Sequence, residues 1–92
     1  MSWASARHIL VHSEDECNVL KKEIENGASF ATVAQTYSQC PSGRNGGDLG
    51  TFRPGQMVKE FNDAVFNGDV GVLYGPIKTQ FGYHLLEVTA RG

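Results

Sequence analysis

The sequence predicts an α+β domain in which helices pack on a mostly antiparallel sheet, and three observations carry that prediction. A segment with the two-residue period of a strand comes first, three segments with helical period follow, and strand-like alternation returns at the end. Nothing alternates strand, helix, strand in the manner of a parallel sheet. The 92 residues suit one domain over 1–92, with no internal repeat or linker.

The first strand spans Ala6 to His12, with Arg7, Ile9 and Val11 on one face and Ala6, His8, Leu10 and His12 on the other. Ser13-Glu14-Asp15-Glu16 then reads as a capping box, its acidic residues matched to the positive end of a helix. In that helix Cys17, Leu20 and Ile24 form one apolar stripe, and Asn26-Gly27 supplies the stop. Ser29 caps a second helix, whose stripe is Phe30, Val33, Ala34 and Tyr37.

From Ser38 to Gly55, prolines and glycines break any helix, so a long loop is expected. Ordering such a loop costs entropy while building little core, which marks it as functional, with Leu49 and Phe52 presented to a cleft. A third helix carries Met57, Phe61, Ala64 and Val65, and Asn67-Gly68 ends it. Val72 to Tyr74, a Gly75-Pro76 break, Ile77 to Thr79 and then Tyr83 to Thr89 read as the closing strands.

Composition narrows the function classes. Eight scattered basic residues against ten acidic ones give a formal charge of −2, which offers no stripe for a phosphate backbone and argues against nucleic acid. The longest apolar run is three residues, so neither a membrane span nor a signal-peptide core is expected. Cys17 and Cys40 form no disulfide framework, and no second cysteine stands at metal-ligand spacing from either. Free thiols, a cytoplasmic location and no metal or cofactor are the expectations.

His8 and His84 each share a strand face with apolar neighbours, where a hydrogen-bonded core histidine is the plainer reading. If the first and last strands are neighbours, however, the two imidazoles can pair. His12, beside the acidic run, reads as a solvated surface group. Cys40 opens the glycine-rich loop and is a candidate nucleophile if an imidazole reaches it. Gly46-Gly47-Asp48-Leu49-Gly50 lacks the Gly-Lys-Ser/Thr ending of a phosphate loop. Leu49, Phe52, Met57, Phe61 and Phe81 either wall an apolar pocket or belong to the core, and spacing leaves both open.

Longer strings are more specific: H-I-L-V at 8–11, Y-S-x-C-P-S-G at 37–43, G-G-D-L-G-x-F at 46–52 and G-Q-M-V at 55–58. F-x-x-A-V-F at 61–66 and G-P-I-K-T-Q-F-G-Y-H at 75–84 follow in order. With these, the chain resembles the parvulin-type peptidyl-prolyl cis/trans isomerases over essentially its whole length. The resemblance implies a four-stranded antiparallel sheet surrounded by helices in the order β-α-α-α-β-α-β-β, with a short strand and a helical turn inside the stretch read above as loop.

The resemblance also implies roles. His8 and His84 match the family's paired histidines, Cys40 and Thr79 share their hydrogen-bonding environment, and Leu49, Met57 and Phe61 match its proline pocket. The implied partners are proline-containing peptides and unfolded or partly folded proteins, met by a monomer, with no nucleic acid or membrane. A noncatalytic proline-binding module or chaperone is the alternative. Two positions depart from the phosphate-directed branch of the family. His12 to Glu16 is acidic where that branch carries Lys and Arg, and Phe81 stands where it carries a small residue. Unmodified substrates and a more apolar, more crowded pocket are therefore expected.

Overall fold

A computed structural model describes residues 2–92. Its elements are β1 (Ala4–Val11), α1 (Glu14–Glu25), α2 (Phe30–Tyr37), a 3-10 helix (Pro41–Asn45), β2 (Asp48–Phe52), α3 (Lys59–Asn67), β3 (Leu73–Thr79) and β4 (Gly82–Arg91). The four strands form one antiparallel sheet in the order β2-β1-β4-β3, which places the first and last strands of the chain side by side at its centre.

Local chemistry explains most boundaries. Ser13 caps α1, its Oγ accepting the Glu16 N–H at 3.0 Å, and Ser29 Oγ accepts the Thr32 N–H at the start of α2. Asn26 ends α1 and Gly27 follows at φ 110°, where a β-carbon is disfavoured. Gly68 ends α3 for a different reason than the left-handed turn expected there. Its φ is −90°, but a β-carbon would lie 2.5 Å from the Ala64 carbonyl and 2.8 Å from the Tyr74 ring.

The two sheet faces carry separate cores. Ile9, Val11 and Leu85 on one face pack with Cys17 and Leu20 of α1 and with Phe30, Val33 and Ala34 of α2. Ala4, Ala6, Leu86 and Val88 on the other pack with Phe52 of β2 and with Phe61 and Val65 of α3. Arg7 fastens the first layer, pairing with Glu87 directly across the strands at 2.6 Å while its guanidinium lies over the Phe30 ring.

Four expectations are corrected here. Tyr37, at the end of the α2 stripe, is 43% exposed because the helix stops there and the chain turns away at Ser38. Phe52 does not face the cleft; it is buried edge-on to Phe66 in the α3 core. Met57 lies outside α3, since the N-cap Val58 is already extended at ψ 152°. Gly75-Pro76 does not break the strand: β3 runs through it with a local shift of register, and as an edge strand it loses nothing by proline's missing N–H.

Candidate active site

The β1–β4 register pairs His8 with Leu86 and Leu10 with His84, so the two histidines are diagonal neighbours on one face of the central strands. Their rings, planes 18° apart, lie side by side and join through Nδ1 to Nδ1 at 3.1 Å. The outer nitrogens are also engaged. His8 Nε2 bonds Ser42 Oγ at 3.0 Å, and His84 Nε2 bonds Thr79 Oγ1 at 2.7 Å. Thr79 Oγ1 accepts the Phe81 N–H as well, which ties the β3–β4 turn to the pair.

The Nδ1–Nδ1 bond requires at least one neutral ring, because two protonated Nδ1 atoms cannot bond each other. Burial, reinforced by the neighbouring His84, lowers His8 to about 4, and burial lowers His84 to about 4 against an upward pull from Glu60. With one proton between the Nδ1 atoms, the direction in which Thr79 donates to His84, His84 to His8 and His8 to Ser42 satisfies every member. Thr79 then donates its hydroxyl proton and accepts from Phe81.

Above the imidazoles opens a cleft of about 360 Å3, lined by His8, Leu10, Gln39, Cys40, Pro41, Leu49, Met57, Val58, Phe61, Phe81 and His84. Phe61 stands nearly perpendicular to both rings, with centroids 4.5 Å from His84 and 5.3 Å from His8. Leu49 and Met57 are half-buried against it. Phe81 is 57% exposed, so it forms a rim of the cleft and does not crowd its interior.

Backbone bonds hold the walls in place. Gln39 N donates to Leu10 O at 2.7 Å and Leu10 N donates to Ser38 Oγ, so the Ser38–Gln39 segment borders β1 just beyond the reach of β2. Ser38 Oγ also accepts the Cys40 N–H at 3.3 Å, which sets Cys40 at the cleft edge. Gly47 O accepts from His8 N at 2.9 Å, and a β-carbon on Gly47 would lie 2.2 Å from the His8 carbonyl oxygen.

The structure therefore brings the eight predicted site residues around one concavity: Thr79 behind His84, and His8, Cys40, Leu49, Met57, Phe61, Phe81 and His84 on its walls. Cys40 differs from expectation in its bonding, since the outer nitrogens of the pair are taken by Ser42 and Thr79. Besides Leu10, Gln39, Pro41 and Val58 of the lining, residue-by-residue reasoning missed Ser42. Its signal lay inside the 37–43 string, where a small hydroxyl in a proline- and glycine-rich turn is easily read as turn chemistry alone. A larger, shallower hollow of about 580 Å3 near Trp3, Thr51, Phe52 and Gln56 holds no imidazole or thiol.

A four-stranded sheet with two neutral, mutually bonded imidazoles under a half-open apolar cleft defines a parvulin-type prolyl isomerase domain. Comparison with known proteins agrees: the PPIC-type PPIASE domain matches residues 2–92. The chain belongs to this family of peptidyl-prolyl cis/trans isomerases. It is 49% identical to the foldase protein PrsA of Geobacillus sp. (strain WCH70) over 85 residues, covering 91% of this chain and 31% of that one. It is 43% identical to the chaperone SurA of Chromohalobacter salexigens, covering 92% of this chain and 22% of that one. The chain thus spans about a third or less of the length of these curated relatives.

Among solved structures, PrsA from Bacillus anthracis superposes with a TM-score of 0.96 at 37% identity, over 99% of this chain and 42% of that one. NmPin, the parvuline of Nitrosopumilus maritimus, gives 0.87 at 34% identity over 98% of both chains. The expected β-α-α-α-β-α-β-β order is present, its third helical element being the 3-10 helix.

Proposed function

We propose that the domain accelerates rotation about Xaa-Pro bonds in unmodified peptides and partly folded proteins, by a noncovalent route. The observation that carries this reading is the position of the Leu49, Met57 and Phe61 walls directly over the neutral His8–His84 pair. The rotation barrier of about 18–20 kcal/mol comes from amide resonance, so no bond has to break. A site lowers it by gripping the pyrrolidine while favouring the twisted amide over either planar isomer. The apolar walls supply the grip, and fixed dipoles of the His8–His84 network act strongly in a partly dehydrated cleft.

Three features support the finer points. All four imidazole nitrogens are committed to Ser42, Thr79 and each other, which leaves no base to activate Cys40 and favours an electrostatic role for that thiol. The segment from His12 to Glu16 carries exposed Glu14, Asp15 and Glu16 and no Lys or Arg to receive a phosphate, which favours unmodified substrates. The cleft is lined by residues of this domain alone, so a monomer suffices for the proposed activity. Cys17 and Cys40 are free thiols, which suits a reducing, cytoplasmic setting. Since uncatalysed prolyl isomerisation takes tens to hundreds of seconds, relief of slow folding steps is the broad use proposed.

Exchange NMR on a short unphosphorylated Leu-Pro-Phe peptide tests the reading. The expected result is faster cis/trans exchange with catalytic protein, lost in Phe61→Ala and reduced in Met57→Ala, whose half-buried side chain can be removed with the fold intact. Chemical-shift perturbation without faster exchange would leave a binding module or chaperone instead.

A further inference from the structure

A second concavity of about 360 Å3 adjoins the proline cleft and shares Gln39, Cys40 and Pro41 with it as a common ridge. Its other walls include Gln35, Ser38 and Arg44, so it is polar where the cleft is apolar. No carboxylate lines it.

Arg44, in the last turn of the 3-10 helix, is the cation that lines this trough. Arg7 is paired with Glu87 and Lys59 with Asp63, while Lys21 and Arg91 donate to the Gly75 and Val65 carbonyls. Lys78 lies over the Tyr83 ring. Arg44 is exposed and has no such partner among the described residues, and its guanidinium presents a planar fork of donors suited to a carboxylate.

We propose that this trough is a substrate subsite in which Arg44 receives the carboxylate of a Glu or Asp lying one or two residues from the substrate proline. The proposal deepens the isomerase reading and rests on the proline occupying the adjoining cleft. An extended peptide advances about 3.3 Å per residue, so a chain leaving the cleft past Cys40 brings a neighbouring side chain over the shared ridge within two residues. The chain's formal charge of −2 disfavours acidic peptides at long range, so an acidic preference must arise locally. The guanidinium is solvent-accessible, which sets a modest size: about two- to fivefold in affinity for one exposed ion pair.

The test compares unphosphorylated, otherwise uncharged proline peptides carrying Glu or Lys at each of the two positions before and the two positions after the proline. Both kcat/KM by exchange NMR and Kd by titration are read. The expected result is a Glu-over-Lys ratio of about three at one of these positions, near one in Arg44→Ala, inverted in Arg44→Glu, and flattened in 1 M KCl, where screening acts within about 3 Å. Lys22→Glu makes the same change in net charge on the α1 surface and should keep the wild-type ratio. Equal Glu and Lys values in the wild-type protein, or a ratio that Lys22→Glu and Arg44→Glu move alike, overturns the subsite. The Kd ratio decides the subsite even if no peptide is turned over, and absent turnover of the neutral peptide counts against the isomerase reading alone.

Discussion

The two faces of the sheet are covered unequally. On one, α1 and α2 lie over Ile9, Val11 and Leu85 and close a core in which Cys17 and Ala34 are completely buried. On the other, the single nine-residue α3 covers Ala6, Leu86 and Val88, and leaves Leu49, Met57 and Val58 only partly buried beside Phe61. A sheet face needs apolar cover along its length, and one short helix cannot provide it. The uncovered remainder is the cleft, so the site occupies the place where the second core is left unfinished.

The largest expected difference between the faces comes from truncating one large side chain in each. Leu20→Ala and Phe61→Ala should each destabilise the domain by about 3 kcal/mol through lost transfer energy and a cavity. Only Phe61→Ala should also lower kcat/KM of the folded fraction, by roughly 30- to 100-fold, since the lost ring gripped the substrate. Equal losses of turnover would show that the closed core and the cleft act as one unit. Thermal melts and single-peptide kinetics on the same preparations decide it.

A comparison of two glycines sharpens the same contrast in stability. Gly27 and Gly47 both have positive φ, but open space surrounds Gly27 whereas Gly47 lies against the His8 carbonyl. Gly27→Ala should cost about 1 kcal/mol of backbone strain, and Gly47→Ala about 4 kcal/mol because strain and overlap combine. The second should also displace His8 and reduce turnover.

Acid titration bears only on the cleft face. His8 and His84 fall from the ordinary 6.5 to about 4 on folding, so between these values the unfolded chain holds more protons. Stability is then fully present above pH 6.5 and falls as the pH drops toward 4, by about 3 kcal/mol for one ring. A second proton would place hydrogens on both Nδ1 atoms and break their bond, so the two rings titrate as a pair. Denaturant melts across this window, repeated in His84→Asn, should show the slope shrink.

The smallest effect expected is at the thiols. Cys40→Asp should keep activity within about tenfold, because general-acid, general-base or nucleophilic help worth more than that would require a base that the engaged imidazoles do not provide. Complete loss of turnover in a folded Cys40→Asp protein would restore the covalent route. Cys17, pushed up to about 11 by burial, should resist alkylation under conditions that label Cys40.

The closed face was the more legible in sequence. Ser13, Asn26-Gly27 and Ser29 act through neighbours a few residues away, and Cys17, Leu20, Phe30 and Val33 repeat at helical period. Both are local signals. The cleft face depends on contacts between distant segments. Whether Phe52 or Leu49 faces the cleft is set by how β2 lies against β1, where the register shifts between Ser5 and Arg7. Met57 keeps the apolar spacing of α3 without belonging to it, because periodicity does not register an extended N-cap. The histidine pair was readable as soon as β1 and β4 became neighbours. Ser42 was not, since its partner lies 34 residues earlier and its own surroundings are those of a turn.

The sheet's two outer strands bear on how such a domain survives contact with sticky, half-folded chains. Pro76 removes a hydrogen-bond donor from β3, and the local shift of register interrupts its straight rim. On β2, the Asp48 carboxylate takes up the Gly50 N–H at 2.8 Å. Each border of the molecule is thereby a poor template for an incoming strand. Under the proposed function, a client chain rich in β-forming sequence would find little to zip onto and would be left with side-chain recognition, from which it can dissociate once its proline has turned.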